Sequence, residues 1–140
     1  MPDAKETDII DILKHTRTIA MVGASSKPER PSYGVMQYLL ANGFEVVPVN
    51  PGQAGSTLMG QLVYASLADI PFPVDLVDIF REPAATPAVV DEAIAVNAKG
   101  IWLQLGISNE EAAAKARAAG LRYVEDTCIK IDHARLKAAL

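Results

Sequence analysis

Five short apolar runs rich in β-branched residues, at 18–22, 44–49, 74–80, 100–105 and 121–125, are separated by stretches with the spacing of amphipathic helices. That alternation constrains the fold more than any other feature of the chain. Strands that regularly take turns with helices imply βαβ units, a parallel sheet and right-handed crossovers. The expected architecture is α/β: a Rossmann-like, doubly wound parallel sheet of about five strands between two helical layers, formed by residues 1–140 as one domain.

The helices are placed by their punctuation. Ile9, Ile10 and Leu13 suggest a first helix capped by Thr7 or Asp8. Ser32 is positioned to cap a second helix carrying Val35, Met36, Leu39 and Leu40, with Gly43 at its end. A third is expected over 83–97, closed by Gly100. The tetrapeptide from Ser108 to Glu111 matches a capping box, followed by an alanine-rich helix that stops at Gly120. The chain reads as helical again from Asp132. Glycine and proline break up 51–73, which leaves room for a short strand at 62–64 and a helical turn at 66–69.

Composition narrows the function classes. The formal net charge is −4 and the pI about 5.1, so no basic footprint for nucleic acid is present. No apolar stretch approaches the ~18 residues of a membrane span, and the first residues are acidic where a signal peptide would be basic. A cytoplasmic location with no membrane partner is the expectation. Cys128 is the only cysteine, which fits a reducing compartment, and with His15 and His133 far apart no metal site is expected. A homodimer is a general expectation, because twofold assemblies are common.

In a doubly wound sheet, ligands bind beyond the carboxyl ends of the strands. The loop after the first run reads VGASSKPERPSYG, an apolar strand stopping at Gly23 before a loop and a helix, which is how such folds offer backbone N–H groups to phosphate. It is not a G-x-G-x-x-G fingerprint, since Ser25 follows where glycine is needed, nor a Walker loop, since Pro28 stands at its second glycine. The second strand ends at Asn50 and Pro51 instead of at the carboxylate that would hold an NAD ribose, so NAD is disfavoured. Lys27, Arg30 and Arg81 could neutralise phosphates. Lys27 and Arg30 read equally well as solvated loop charges, whereas Arg81 directly follows an apolar strand and points at the rim. The remaining strand ends contribute Gln104, Gly106 and Ile107, and the segment from Asp126 to Ile129.

Four segments in order, VGASSKPERPSYGVMQYLLANGFEVVPVNP, VDLVDIFREP, GIWLQLGI and EDTCIKID, resemble the small single-domain coenzyme A-binding proteins. Their domain is similar to the N-terminal domain of the succinyl-CoA synthetase alpha subunit. The resemblance runs from about Thr16 to the C-terminus. It implies coenzyme A or an acyl-CoA lying across the strand ends, the diphosphate at Gly23, Ala24, Ser25 and Ser26, and support from Lys27 and Arg30. It also implies the adenosine near Asn50 and Pro51, and a ligand-facing wall of Phe80, Arg81, Pro83, Gln104 and Gly106. Tyr33 and Gly34, at the start of the second helix, are further contact candidates. Ligase chemistry does not carry over, because neither histidine matches the context of the synthetase's phosphorylated histidine.

No nucleophile partnered by a base is evident, so no catalytic residue is expected. Cys128 lies on a strand-end loop and invites a mixed disulfide with the coenzyme's thiol, but a lone cysteine more commonly packs as a small hydrophobe. His133 after Asp132 reads as a surface residue of a terminal helix. Trp102 reads as core. The expected function is a non-catalytic coenzyme A-binding sensor, carrier or accessory module. The alternative is an NADP-dependent oxidoreductase or another dinucleotide-binding domain, with the same cations meeting the 2′-phosphate.

Overall fold

The computed structural model describes residues 3–140. Five strands form one all-parallel sheet: β1 (Thr18–Val22), β2 (Glu45–Val49), β5 (Leu76–Ile79), β6 (Gly100–Leu103) and β7 (Arg122–Val124), in the spatial order β2-β1-β5-β6-β7. The chain leaves β1 toward one edge to make β2, then returns past β1 to build β5, β6 and β7. The strand order therefore reverses between β1 and β5, where ligands of such sheets bind. Helices α1 (Ala4–His15), α2 (Pro31–Ala41) and α5 (Ile129–Leu136) cover one face; α3 (Thr86–Ala95) and α4 (Glu110–Ala118) cover the other. The Rossmann-like α/β fold expected from the alternation is thus present.

The faces follow from strand parity. Ile19, Met21, Leu76 and Trp102 pack under α1, α2 and α5 with Ile9, Ile12, Met36 and Leu39. Ala20, Val77, Ile79 and Ile101 pack against Val89, Val90, Ala112 and Ala116 of α3 and α4. Each central strand is buried on both faces, which is why these segments read as continuous apolar runs. Pro48 lies on the edge strand β2, where a missing N–H costs no ladder bond. No helix among the described residues is long and apolar enough to cross a membrane.

Several element boundaries differ from the sequence expectation. The first helix is capped by Asp3, whose carboxylate accepts from the Glu6 N–H at 2.8 Å, so it begins before Thr7 and Asp8. The second starts at Pro31, whose fixed φ suits a first helical position, and Ser32 lies inside the first turn instead of capping it. The segment 83–97 opens with a 3₁₀ turn (Pro83–Ala85), and Asn97 at φ +60° reverses the chain after α3. Gly100 does not close that helix; it is the first residue of β6.

Asn109, not Ser108, caps α4, accepting from the Ala112 N–H at 2.9 Å. The last helix begins at Ile129, three residues before Asp132. Within 51–73 the chain forms a hairpin, β3 (Thr57–Leu58) with β4 (Gln61–Leu62), turned by Met59 and Gly60, both at positive φ. Tyr64 then bridges to Val49 beside β2.

Candidate functional site

A cavity of about 910 Å³ runs along the carboxyl ends of the strands. Its wall is assembled in spatial order: Asn50, Pro51 and Gln53 after β2, Gly23, Ala24, Ser25, Lys27 and Arg30 after β1, Phe80–Glu82 after β5, Gln104, Leu105 and Ile107 after β6, and Cys128 with Ile131 at the start of α5.

Gly23 is the tightest point. Its φ is +89°, and a Cβ there would sit 2.3 Å from the Phe80 carbonyl oxygen. Its N–H donates to the Val49 carbonyl at 3.0 Å, and the Phe80 N–H donates to Val22 at 2.8 Å, so the ends of β2, β1 and β5 are tied together around it. The next turn is held by side chains. Asn50 donates to the Ala24 carbonyl at 2.8 Å and accepts from the Gly52 N–H at 2.9 Å, so its amide is engaged within the chain at both ends. Ser25 accepts from the Lys27 N–H at 3.1 Å, and Gln53 donates to Ser26 at 2.8 Å, bridging the two loops.

Of the residues singled out from sequence, Gly23, Ala24, Ser25, Lys27, Arg30, Asn50, Pro51, Phe80, Arg81 and Gln104 line this one cavity. Five do not. Ser26 faces outward and holds Gln53. Tyr33 and Gly34 are turned away, because starting α2 at Pro31 puts 31, 32 and 35 on the cavity side of the helix. Pro83 is occupied as a structural joint, its carbonyl accepting from Thr86 and Asn109 at 2.8 and 3.0 Å. Gly106, at φ +85°, makes the turn after β6, its N–H given to Asp126 at 2.8 Å.

The wall also includes residues the sequence did not single out: Ser32, Val35, Gln53, Glu82, Leu105 and Ile131. The helix phase of α2, once its start was known, would have pointed to Ser32 and Val35. Leu105 and Ile131 carry no sequence signal beyond being apolar near strand ends.

Charge on the wall is uneven. Lys27 and Arg30 are exposed at the β1 end. Arg81, its side chain 39% exposed, pairs with Glu82 at 3.3 Å. The Glu82 carboxyl is held below its ordinary value by its own backbone N–H and then by Arg81. Away from the cavity, Trp102 is fully buried and donates to the Thr127 carbonyl at 2.8 Å. His133 is not a surface residue: it is buried edge-on against Tyr38 and Phe44, with Nδ1 2.7 Å from the Tyr38 hydroxyl, because α5 starts earlier and turns it inward. Burial, and then the charge of Lys137, lowers its pKa.

The fold and part of the sequence are similar to those of known proteins. The chain is 34% identical over 137 residues to the uncharacterized protein YneT of Bacillus subtilis, covering 98% of this chain and 100% of that protein. The structure superposes on a hypothetical protein from Pyrococcus horikoshii OT3 with a TM-score of 0.88 at 40% identity, covering 98% and 99% of the two chains. An 87-residue segment is 31% identical to the alpha subunit of ADP-forming acetate–CoA ligase I from Pyrococcus furiosus, spanning 59% of this chain but 19% of that subunit. The profile of one domain family matches residues 17–134, from just before β1 into α5. With that match taking in every strand of the sheet and all of the cavity wall, the chain belongs to the CoA binding domain family.

Proposed function

We propose that residues 1–140 act as one domain that binds coenzyme A, or an acyl thioester of it, in the cavity across the strand ends, as a sensor, carrier or accessory module without catalysis of its own. The observation that carries this reading is the cavity at the sheet's reversal point, with cations concentrated at one end, in a chain of the CoA binding domain family.

The diphosphate would lie over Gly23, Ala24 and Ser25 at the N-terminal end of α2, where a glycine lets the backbone approach and helix N–H groups favour anions. Lys27, Arg30 and Arg81 would supply counter-charge. The adenosine would rest by Asn50, Pro51 and Gln53. Ser32 supports the fit: it is 2% exposed, it lines the cavity, and its hydroxyl makes no side-chain hydrogen bond among the described residues. No histidine lies on the wall among the described residues, so no cysteine–histidine or serine–histidine pair is offered to a substrate there.

Calorimetric titration of ligand-free protein with coenzyme A, acetyl-CoA, 3′-dephospho-CoA, NAD and NADP tests the reading. Selective binding of coenzyme A forms, weakened without the 3′-phosphate, is expected. Preference for NADP, or no binding of any coenzyme A form, would overturn it. Arg81→Ala is expected to weaken coenzyme A binding about tenfold, the scale of one charge-assisted contact on a half-exposed wall. An unchanged Kd would remove Arg81 from the site.

A further inference from the structure

We propose that Cys128 captures the ligand's terminal sulfur as a reversible mixed disulfide when that ligand is presented as a disulfide of coenzyme A. This rests on the coenzyme A reading above and goes beyond it, because it adds covalent chemistry on the wall of the same cavity.

The geometry carries it. The cavity wall joins the ends of β2, β1, β5 and β6 to the start of α5. Its two ends differ in chemistry. The β2–β1 end holds Lys27, Arg30, Ser25 and Asn50; the β6–β7 end holds Leu105, Ile107 and Ile131 around Cys128. A ligand with its phosphates at Gly23 must extend its uncharged arm toward the apolar end, and the thiol of coenzyme A terminates that arm. Leu105 and Ile131 are 66% and 58% exposed, an apolar rim that the arm would cover.

Cys128 is not packed away as a core residue. It is half-buried, it lines the cavity, and it stands immediately before α5 with its side chain making no cap hydrogen bond. A second observation points to a ligand beside it. Gln104 is 5% exposed and lines the same stretch of wall; its Oε1 makes only a long contact with the Ile129 N–H at 3.4 Å, and its amide nitrogen makes no hydrogen bond among the described residues. A free amide donor on a cavity wall is open to an acceptor brought there by a ligand. The amide carbonyls of a coenzyme A arm are acceptors of that kind.

The step balances without an external oxidant. The Cys128 thiol attacks one sulfur of the disulfide R–S–S–R′, in which R–S is coenzyme A; a new Cys128–S–S–R bond forms and the old S–S bond breaks. The departing sulfur takes the electron pair and the thiol proton and leaves as R′–SH. One disulfide is consumed and one is made.

The test is intact-mass spectrometry of the reduced, ligand-free chain after incubation with coenzyme A disulfide or, in parallel, glutathione disulfide. One coenzyme A adduct, reversed by dithiothreitol, is expected to form at least about tenfold faster than the glutathione adduct, because binding holds the two sulfurs together. Saturating adenosine 3′,5′-bisphosphate, which lacks the arm and thiol, should slow it at least about tenfold, and Arg81→Ala should slow it in step with its weaker coenzyme A binding. If reduced coenzyme A binds by calorimetry but the adduct forms no faster than with glutathione disulfide, or is indifferent to the bisphosphate, the capture is wrong while the binding reading stands. If reduced coenzyme A does not bind, the binding reading itself has failed. An acyl group transferred to Cys128 from acetyl-CoA, with no adduct from the disulfide, would overturn the proposal.

Discussion

Gly23→Ala is expected to destabilise the protein by roughly 3–5 kcal/mol and to abolish ligand binding at the β1 end of the cavity. Two costs add. A left-handed φ of +89° strains any residue with a Cβ, and that Cβ would lie 2.3 Å from the Phe80 carbonyl oxygen, nearer than such atoms approach in real structures. Relief would require β5 to move away from β1, but the Phe80 N–H is bonded to Val22 at 2.8 Å and the Gly23 N–H to Val49 at 3.0 Å. Gly34→Ala provides the control: Gly34 lies in α2, and an added Cβ meets nothing within 4 Å. It should gain about 0.5–1 kcal/mol from helix propensity. Urea denaturation of the two variants beside wild type makes the comparison. A Gly23→Ala protein within about 1 kcal/mol of wild type would show that the β1–β5 junction yields more easily than its hydrogen bonds indicate.

The second large effect concerns Asp78, in the middle of β5 between Met21 of β1 and Trp102 of β6. It is fully buried, and neither carboxyl oxygen has a hydrogen-bond partner among the described residues. Burial pushes its pKa well above the ordinary carboxyl value, so the folded protein holds it as the neutral acid over a pH range where the unfolded chain ionises it. In that window the native state binds the extra proton, and stability falls as pH rises, by up to about 1.4 kcal/mol per pH unit, from the unfolded carboxyl's ordinary pKa up to the raised folded one.

Asp78→Asn removes the ionisable group at nearly constant volume. It should leave stability near pH 4 almost unchanged and raise it at pH 8 by roughly 1–3 kcal/mol, so that the difference from wild type grows with pH. Denaturant midpoints from pH 4 to 8 measure this. The comparison with wild type cancels the other shifted groups, including Glu6, held low by its hydrogen bond to Arg135, and His133, lowered by burial. A wild-type-minus-variant difference that does not change with pH would mean that Asp78 finds a partner or water in solution.

The sequence was informative where a local pattern has one physical cause. The five strands are legible because a parallel strand buried on both faces is apolar at nearly every position, and the helices because their apolar spacing is the period of the helix. The rim was legible because the fold class dictates that ligands meet the strand ends, so the residues after each run, Gly23, Asn50, Arg81 and Gln104 among them, could be named in advance. Boundaries were less so. Asp3, Pro31 and Asn109 each compete with a neighbour able to take the same role, and the choice between Asn109 and Ser108 is made by where α4 docks.

What the sequence determined by itself is the α/β alternation, the glycine at the β1 turn and the cations beside it. The tertiary structure decided which residues share the cavity. It turned Tyr33 and Gly34 away and brought in Ser32, gave Pro83 and Gly106 to the joints of the loops, and set Cys128 beside the apolar residues of a wall whose cations follow β1 and β5. It also decided that Asp78 faces the core. An aspartate within an apolar run does not reveal its surroundings; those of Asp78 depend on Met21 and Trp102, 57 and 24 residues away in the chain, and on helices packed over that face of the sheet. Local periodicity reports what one segment needs to bury, whereas a cavity is made by segments that meet only when the sheet is assembled.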